Sequence, residues 1–207
     1  VVRLTLDKKQ FYKFAAGKNF IIPQTFFPAG PEDCPAIGQE IRYPCIIKPF
    51  QPNLGWRRRF PGRKLFVAHN SDSLHRLYEE LFEVHQDLVV QELIPGDDSQ
   101  LSFSLTYFNK RSQPLGMFTG RKVRQYPPKF GTSSLAESRL DARIAEHTVK
   151  ILQAMNYTGY GSVEFKWDPR DKQFKALEVT ARTWFPHGIS TACNLNLVLM
   201  AYCDVFN

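Results

Sequence analysis

Two glutamates set in runs of strand-forming residues, Glu164 in SVEFKW and Glu178 in KALEVT, form the most chemically suggestive pair in the chain. The surrounding segment, GYGSVEFKWDPRDKQFKALEVTART (residues 159 to 183), reads as a hairpin. Val163 and Phe165 alternate with Glu164 and Lys166, Asp-Pro-Arg-Asp supplies a turn, and Phe174 to Thr180 returns. Pairing of the two strands brings both glutamates to one face. Carboxylates among apolar neighbours repel each other and lose solvation unless a positive group sits between them. A divalent cation carrying a phosphate meets that need. The competing reading is the solvated outer face of an ordinary hairpin.

Other residues are placed for complementary chemistry. In YPCIIKPF, Lys48 emerges at the end of an apolar strand immediately before Pro49. There it is either a held point charge suited to phosphate oxygens or a strand-end lysine whose head reaches water. Gln91 and Glu92 interrupt the apolar run LVVQELI, and a polar side chain in such a run needs a partner. An adenine ring packed by Leu93 and Ile94 would supply one. Asp97 or Asp98, just past a Pro-Gly turn, suits ribose hydroxyls or plain turn chemistry. Arg121, Lys122 and Arg124 lie together on one predicted strand, whose alternation lets only part of the cluster reach a single ligand. His187 has no carboxylate nearby in sequence to orient it, which argues against a catalytic role.

The elements that position these residues follow from local pattern. Asp7 caps a helix ending at Gly17, with Phe11, Phe14 and Ala15 on one face and Lys8, Lys9 and Lys13 elsewhere. A strand over 43–50 leads into a basic flap from Gln51 to Arg63, then a strand from Lys64 to Ala68. A helix from Ser71 to Val84 is capped by Ser71 or Asp72. Strands follow from Leu88 and into Phe108, then one over 115–126, with a loop from Tyr126 to Ser134. The period over Asp141 to Met155 predicts a helix with Ile144, Thr148, Ile151 and Leu152 inward. A chain of 207 residues with 43% hydrophobic content can bury one large core or two small ones. The net charge of +7 indicates an anionic partner. Five of the eight residues from Arg57 to Lys64 are basic, yet no nucleic-acid recognition module accompanies them. No eighteen-residue apolar run, Walker loop or CxxC spacing occurs, so membrane spans, P-loop chemistry and zinc sites are not indicated, and a cytoplasmic setting is expected.

The ordered set of a lysine-bearing helix, an apolar strand ending in Lys-Pro, VQELIPGDD, FTGRKVRQYPPKFGTSS and VEFKWDPRDKQFKALEVTAR resembles the ATP-grasp superfamily. Within it, the set is similar to the carboligase branch near D-aspartate ligase and the carbamoyl-phosphate synthetase large chain. The resemblance implies an α+β fold of two lobes with antiparallel sheets enclosing ATP, expected at residues 1–90 and 91–207. It also implies an ATP-dependent ligase that joins a small-molecule carboxylate to an amine or thiol through an acyl-phosphate. Lys48, and less firmly Lys13, would contact phosphates. Gln91, Glu92, Leu93 and Ile94 would hold adenine, and Asp98 the ribose. Glu164, Glu178 and Thr180 would bind Mg2+, with Mn2+ as a substitute, and Arg182 together with one of Arg121, Lys122 and Arg124, Arg121 being favoured, would act at the phosphates. Neither nucleic acid nor membrane is an expected partner, and a homodimer is left open. Two departures stand out. Thr180 occupies the middle of the usual Glu-x-Asn-x-Arg pattern, and the sequence starts almost at the first lysine helix, so the expectation is either a fragment or a chain that has lost the separate domain generally preceding the lobes. Both leave room for a nucleotide-binding module without ligase activity.

Overall fold

Asp7 caps the opening helix as its residue type predicts, its carboxylate accepting from the backbone N–H groups of Lys9 and Gln10. The computed structural model describes residues 2–183 and 186–206. Helix α1 (Val2–Leu6) runs into α2 (Lys8–Gly17), which buries Phe11, Tyr12 and Ala15. The helix ends at Gly17, but the left-handed residue that turns the chain away is Asn19, at φ 55°.

Residues Pro23–Ile94 form one compact unit. Its elements are β1 (Thr25–Phe26), α3 (Cys34–Glu40), β2 (Cys45–Pro49), α4 (Leu54–Arg59), β3 (Phe66–Ala68), α5 (Ser71–Phe82) and β4 (Leu88–Glu92). The strands pair antiparallel in the order β1-β4-β2-β3. Cys45 and Ile47 from β2 and Leu88 and Val90 from β4 pack with Leu74, Tyr78 and Leu81 of α5. Helix α5 is capped by Asn70 rather than Ser71 or Asp72. Asn70 is extended at φ −158° and exchanges side-chain and backbone bonds with Ser73 as a capping box. The expected flap is also more structured than its polar sequence suggests. Asn53 caps α4 by accepting from Trp56 N, and Trp56 is buried against Phe60 and Phe66 with its indole donating to Arg63 O at 2.9 Å. Arg57, Arg58 and Arg59 remain exposed around this anchor. Cys34 and Cys45 are buried free thiols, each pushed up to about 12 chiefly by burial.

The second unit comprises Val1–Ile22 and Pro95–Asn207. It continues through β5 (Leu101–Phe108), β6 (Pro114–Tyr126), β7 (Thr132–Ser138), α6 (Ala142–Ala154), β8 (Gly159–Asp168), β9 (Gln173–Thr180), α7 (His187–Ala192) and α8 (Leu197–Phe206). The five strands are antiparallel in the order β7-β6-β5-β8-β9. Strand β7 takes up part of the stretch expected as a loop through Ser134. Helix α6 covers one face with the predicted Ile144, Thr148, Ile151 and Leu152 buried. Thr148 Oγ1 donates to Ser104 Oγ at 2.8 Å, and Ser104 Oγ accepts from Val163 N, which fixes α6 over β5 and β8. On the other face Leu197 of α8 joins Phe103, Leu105, Tyr107 and Phe118. Gly116 permits that approach, since a Cβ there would lie 2.7 Å from Met200 Sδ and 2.8 Å from Leu197 Cδ2.

These units divide the chain differently from the expected 1–90 and 91–207. The opening helices pack with the second unit because β9 offers them partners at its edge. Tyr12 Oη donates to Leu177 O at 2.7 Å, and Ala176 N donates to Ile21 O at 2.8 Å. Among the described residues no helix is long and apolar enough to cross a membrane.

Candidate active site

Glu164 and Glu178 are direct cross-strand partners on β8 and β9. Asp168 pairs with Gln173 beside the turn, a register that, continued without interruption, would set Glu164 opposite Leu177. A bulge between Glu164 and Phe165 absorbs one residue of β9, so that Phe165 faces Ala176 and Glu164 faces Glu178. Thr180, paired with Ser162, follows Glu178 by two and shares its face.

Each glutamate is held by a lysine. Glu164 Oε2 lies 2.7 Å from Lys122 Nζ, with the two side chains 22% and 5% exposed. Glu178 Oε2 lies 3.2 Å from Lys8 Nζ, in a more open setting. The strand register explains the first contact. Phe103 of β5 stands opposite both Glu164 and Gly120, and Lys122 follows Gly120 by two on the same face. Arg121 points the other way and binds Glu137 of β7 through Nε at 2.9 Å and Nη2 at 2.6 Å. Sequence alternation separates Arg121 from Lys122, but only the pairing of β6 with β5 and β8 decides which of them meets the acids. Sequence pattern alone does not connect Lys8 with Glu178. Its signal is helical spacing, because Lys8 and Tyr12 are one turn apart and reach adjacent residues of β9. Lys13 is exposed.

The remaining predicted residues of this unit are placed as follows. Asp98 accepts from Gln125 N at 2.9 Å and from Gln125 Nε2 at 2.8 Å, tying the start of β5 to β6. Asp97 accepts from Ser99 N and Ser99 Oγ, which is turn chemistry. Arg182 is exposed, its guanidinium 3.4 Å from Thr183 O. His187 opens α7 with its ring edge-on to Tyr160. Lys166, on the face of Glu164, donates to Gly96 O at 2.9 Å, and burial lowers its pKa. A cavity of about 170 Å³ lined by Phe20, Ile21, His147, Ile151 and Phe165 lies on the α6 face, away from the acids.

In the smaller unit, Lys48 Nζ donates to Gln91 Oε1 at 2.9 Å, and Gln91 Nε2 donates to Thr25 Oγ1 at 2.8 Å. Glu92 Oε1 accepts from Gln24 N at 2.9 Å. The partners that the polar residues of β4 require are therefore supplied by the chain itself. Main-chain bonds from Glu92 N to Gln24 O and from Leu93 N to Pro44 O continue the order past the strand end, where Ile94 is buried.

Two antiparallel-sheet units, one with a lysine-bearing strand and one with an acidic hairpin, define the ATP-grasp fold. Solved structures confirm it. Biotin carboxylase from Campylobacter jejuni, in complex with beta-gamma-ATP, superposes with a TM-score of 0.75 at 18% identity over 99% of this chain and 47% of its own. A RimK domain ATP-grasp protein from Sphaerobacter thermophilus DSM 20745 gives 0.67 at 17% identity over 99% of this chain and 69% of its own. In sequence, residues 129–202 match the family described as carbamoyl-phosphate synthase L chain, ATP binding domain. D-aspartate ligase from Enterococcus faecium (strain Aus0004) is 27% identical over 173 residues, 80% of this chain and 41% of the ligase. The chain thus has the ATP-grasp fold, and in sequence it is similar to an ATP-binding domain and to a ligase over part of their lengths. It spans less than half the length of D-aspartate ligase and of the carboxylase.

Proposed function

We propose that the chain carries the nucleotide site of an ATP-dependent ligase that joins a carboxylate to an amine through an acyl-phosphate. The observation that carries this reading is the directly paired Glu164 and Glu178, flanked by Lys122 and Lys8 on one sheet face. Carboxylate and hydroxyl oxygens in that arrangement suit a hard divalent cation, Mg2+ or Mn2+. Glu164, Glu178 and Thr180 are its assigned ligands. When bound, the cation neutralises charge on the transferring phosphoryl group.

The chain's own residues supply binding and alignment. Lys48 contacts the phosphates, with Lys13 as a weaker candidate. Gln91, Glu92, Leu93 and Ile94 receive adenine, and Asp98, already positioned by Gln125, accepts from the ribose hydroxyls through its remaining lone pairs. Arg182 serves the phosphates or the acyl-phosphate. Of the β6 cations, Lys122 is better placed than Arg121, which is committed to Glu137. A carboxylate oxygen attacks the γ-phosphorus and ADP leaves. The amine then displaces phosphate from the acyl carbon. Such chemistry asks for charge stabilisation rather than a protein nucleophile. The similarity to D-aspartate ligase supports an amino acid among the substrates.

The test is an acyl-hydroxamate assay across amino acids and other small carboxylates, with ATP and Mg2+, beside titration calorimetry with nucleotide. Hydroxamate formation that is lost in Lys48→Ala and Glu178→Ala supports the ligase. Thr180 favours a second reading, a module that binds nucleotide without turnover, and nucleotide binding with no hydroxamate from any carboxylate would establish it.

A further inference from the structure

The acid pair is already electrically balanced. Two carboxylates on one face carry two ammonium partners, Lys122 on Glu164 and Lys8 on Glu178. Among the described residues no group of three His, Cys, Asp or Glu side chains converges to hold a metal. A divalent cation arriving alone would therefore have to break both ion pairs, one of them with the buried Lys122, and draw most of its oxygen shell from water. Nucleotide phosphates change that balance, because they offer the lysines an alternative anion and the cation its missing oxygens.

We propose that Lys122, and to a lesser degree Lys8, are cation placeholders that keep the metal ligands closed until phosphate draws the ammonium groups away. The proposal rests on the nucleotide-and-metal reading above and adds to it an order and a coupling. Metal and nucleotide raise each other's affinity, and the protein contributes to this through the lysines in addition to direct metal–phosphate contact. Lys122 is the stronger latch, since it is 5% exposed whereas the Lys8 side chain is 43% exposed.

The experiment is Mn2+ titration of the whole chain without nucleotide, following the free-ion signal by electron paramagnetic resonance. Wild type should bind weakly. Lys122→Met should tighten Mn2+ binding by about tenfold or more and Lys8→Met by about threefold, in keeping with their burial. Lys166→Met is the control for bulk charge, because Lys166 shares the face of Glu164 but donates to Gly96 O. Equal effects of Lys122→Met and Lys166→Met, or no effect of Lys122→Met with Lys8→Met also unchanged, would overturn the proposal. A parallel titration with a non-hydrolysable ATP analogue separates the two levels. Mn2+ binding with the analogue but no latch effect refutes only the placeholder role, whereas no Mn2+ binding under either condition removes the nucleotide-site reading as well.

Discussion

Glu164 faces Glu178 only because Leu177 is the residue the β9 bulge absorbs. Side chains alternate with period two, so a one-residue slip would set Glu178 opposite Val163, on the face covered by α6. Inserting one alanine between Leu177 and Glu178 should move Glu178 opposite Val163 and turn it away from Glu164. We expect Mn2+ binding in the presence of an ATP analogue to fall at least about tenfold, the scale of losing one charged ligand, with near-native far-ultraviolet dichroism. Calorimetry checks the first expectation.

The ion pair between Lys122 and Glu164 predicts an asymmetry in stability. Glu164→Gln leaves a cation that is 5% exposed without its carboxylate and should cost about 2–3 kcal/mol, below the range for fully buried pairs because Glu164 is 22% exposed. Lys122→Met leaves the more accessible partner and should cost about 1 kcal/mol. The double variant should recover most of the Glu164→Gln loss. Urea unfolding of all four proteins measures the coupling.

Asp168, at the hairpin turn, predicts a pH dependence. It is fully buried, with Arg170 Nη2 at 2.7 Å and Lys175 Nζ at 3.0 Å. The hydrogen bonds from Arg170, aided by Lys175, hold its carboxyl well below the usual carboxylate range. A depressed folded-state pKa contributes stability that is fully present above the unfolded value near 3.8 and is lost as pH falls from there toward the folded value. Asp168→Asn should thus destabilise the protein at pH 7 and flatten the decline in stability below pH ~4. Denaturation midpoints from pH 7 to 2 report both effects.

Thr180 is the departure that bears on turnover. If it ligates the cation through its hydroxyl, Thr180→Asn places a longer carbonyl donor at the same position, and Mn2+ affinity with an ATP analogue should rise by several-fold. Unchanged affinity would show that position 180 lies outside the metal shell.

Much of the fold is legible in local pattern. The cap at Asp7, the buried stripe of α6 and the spans of β2, β4, β8 and β9 follow from residue types within a few positions of one another. Local pattern is less reliable where a polar segment hides an anchor, as with Trp56 in α4, whose three arginines resemble a loop until the indole finds Arg63 O. The candidate site divides in the same way. Lys48, Gln91, Glu164 and Glu178 announce themselves as polar groups among apolar neighbours.

The sequence by itself determined which side chains could do chemistry and on which strands and helices they sit, because those depend on short-range periodicity and capping. Only the tertiary structure decided that Lys122 rather than Arg121 meets Glu164, that Lys8 reaches Glu178, and that the opening helices pack beside β9. Each of these depends on strand register and on contacts between residues far apart in the chain, and register is set by a single bulged residue that no local pattern marks.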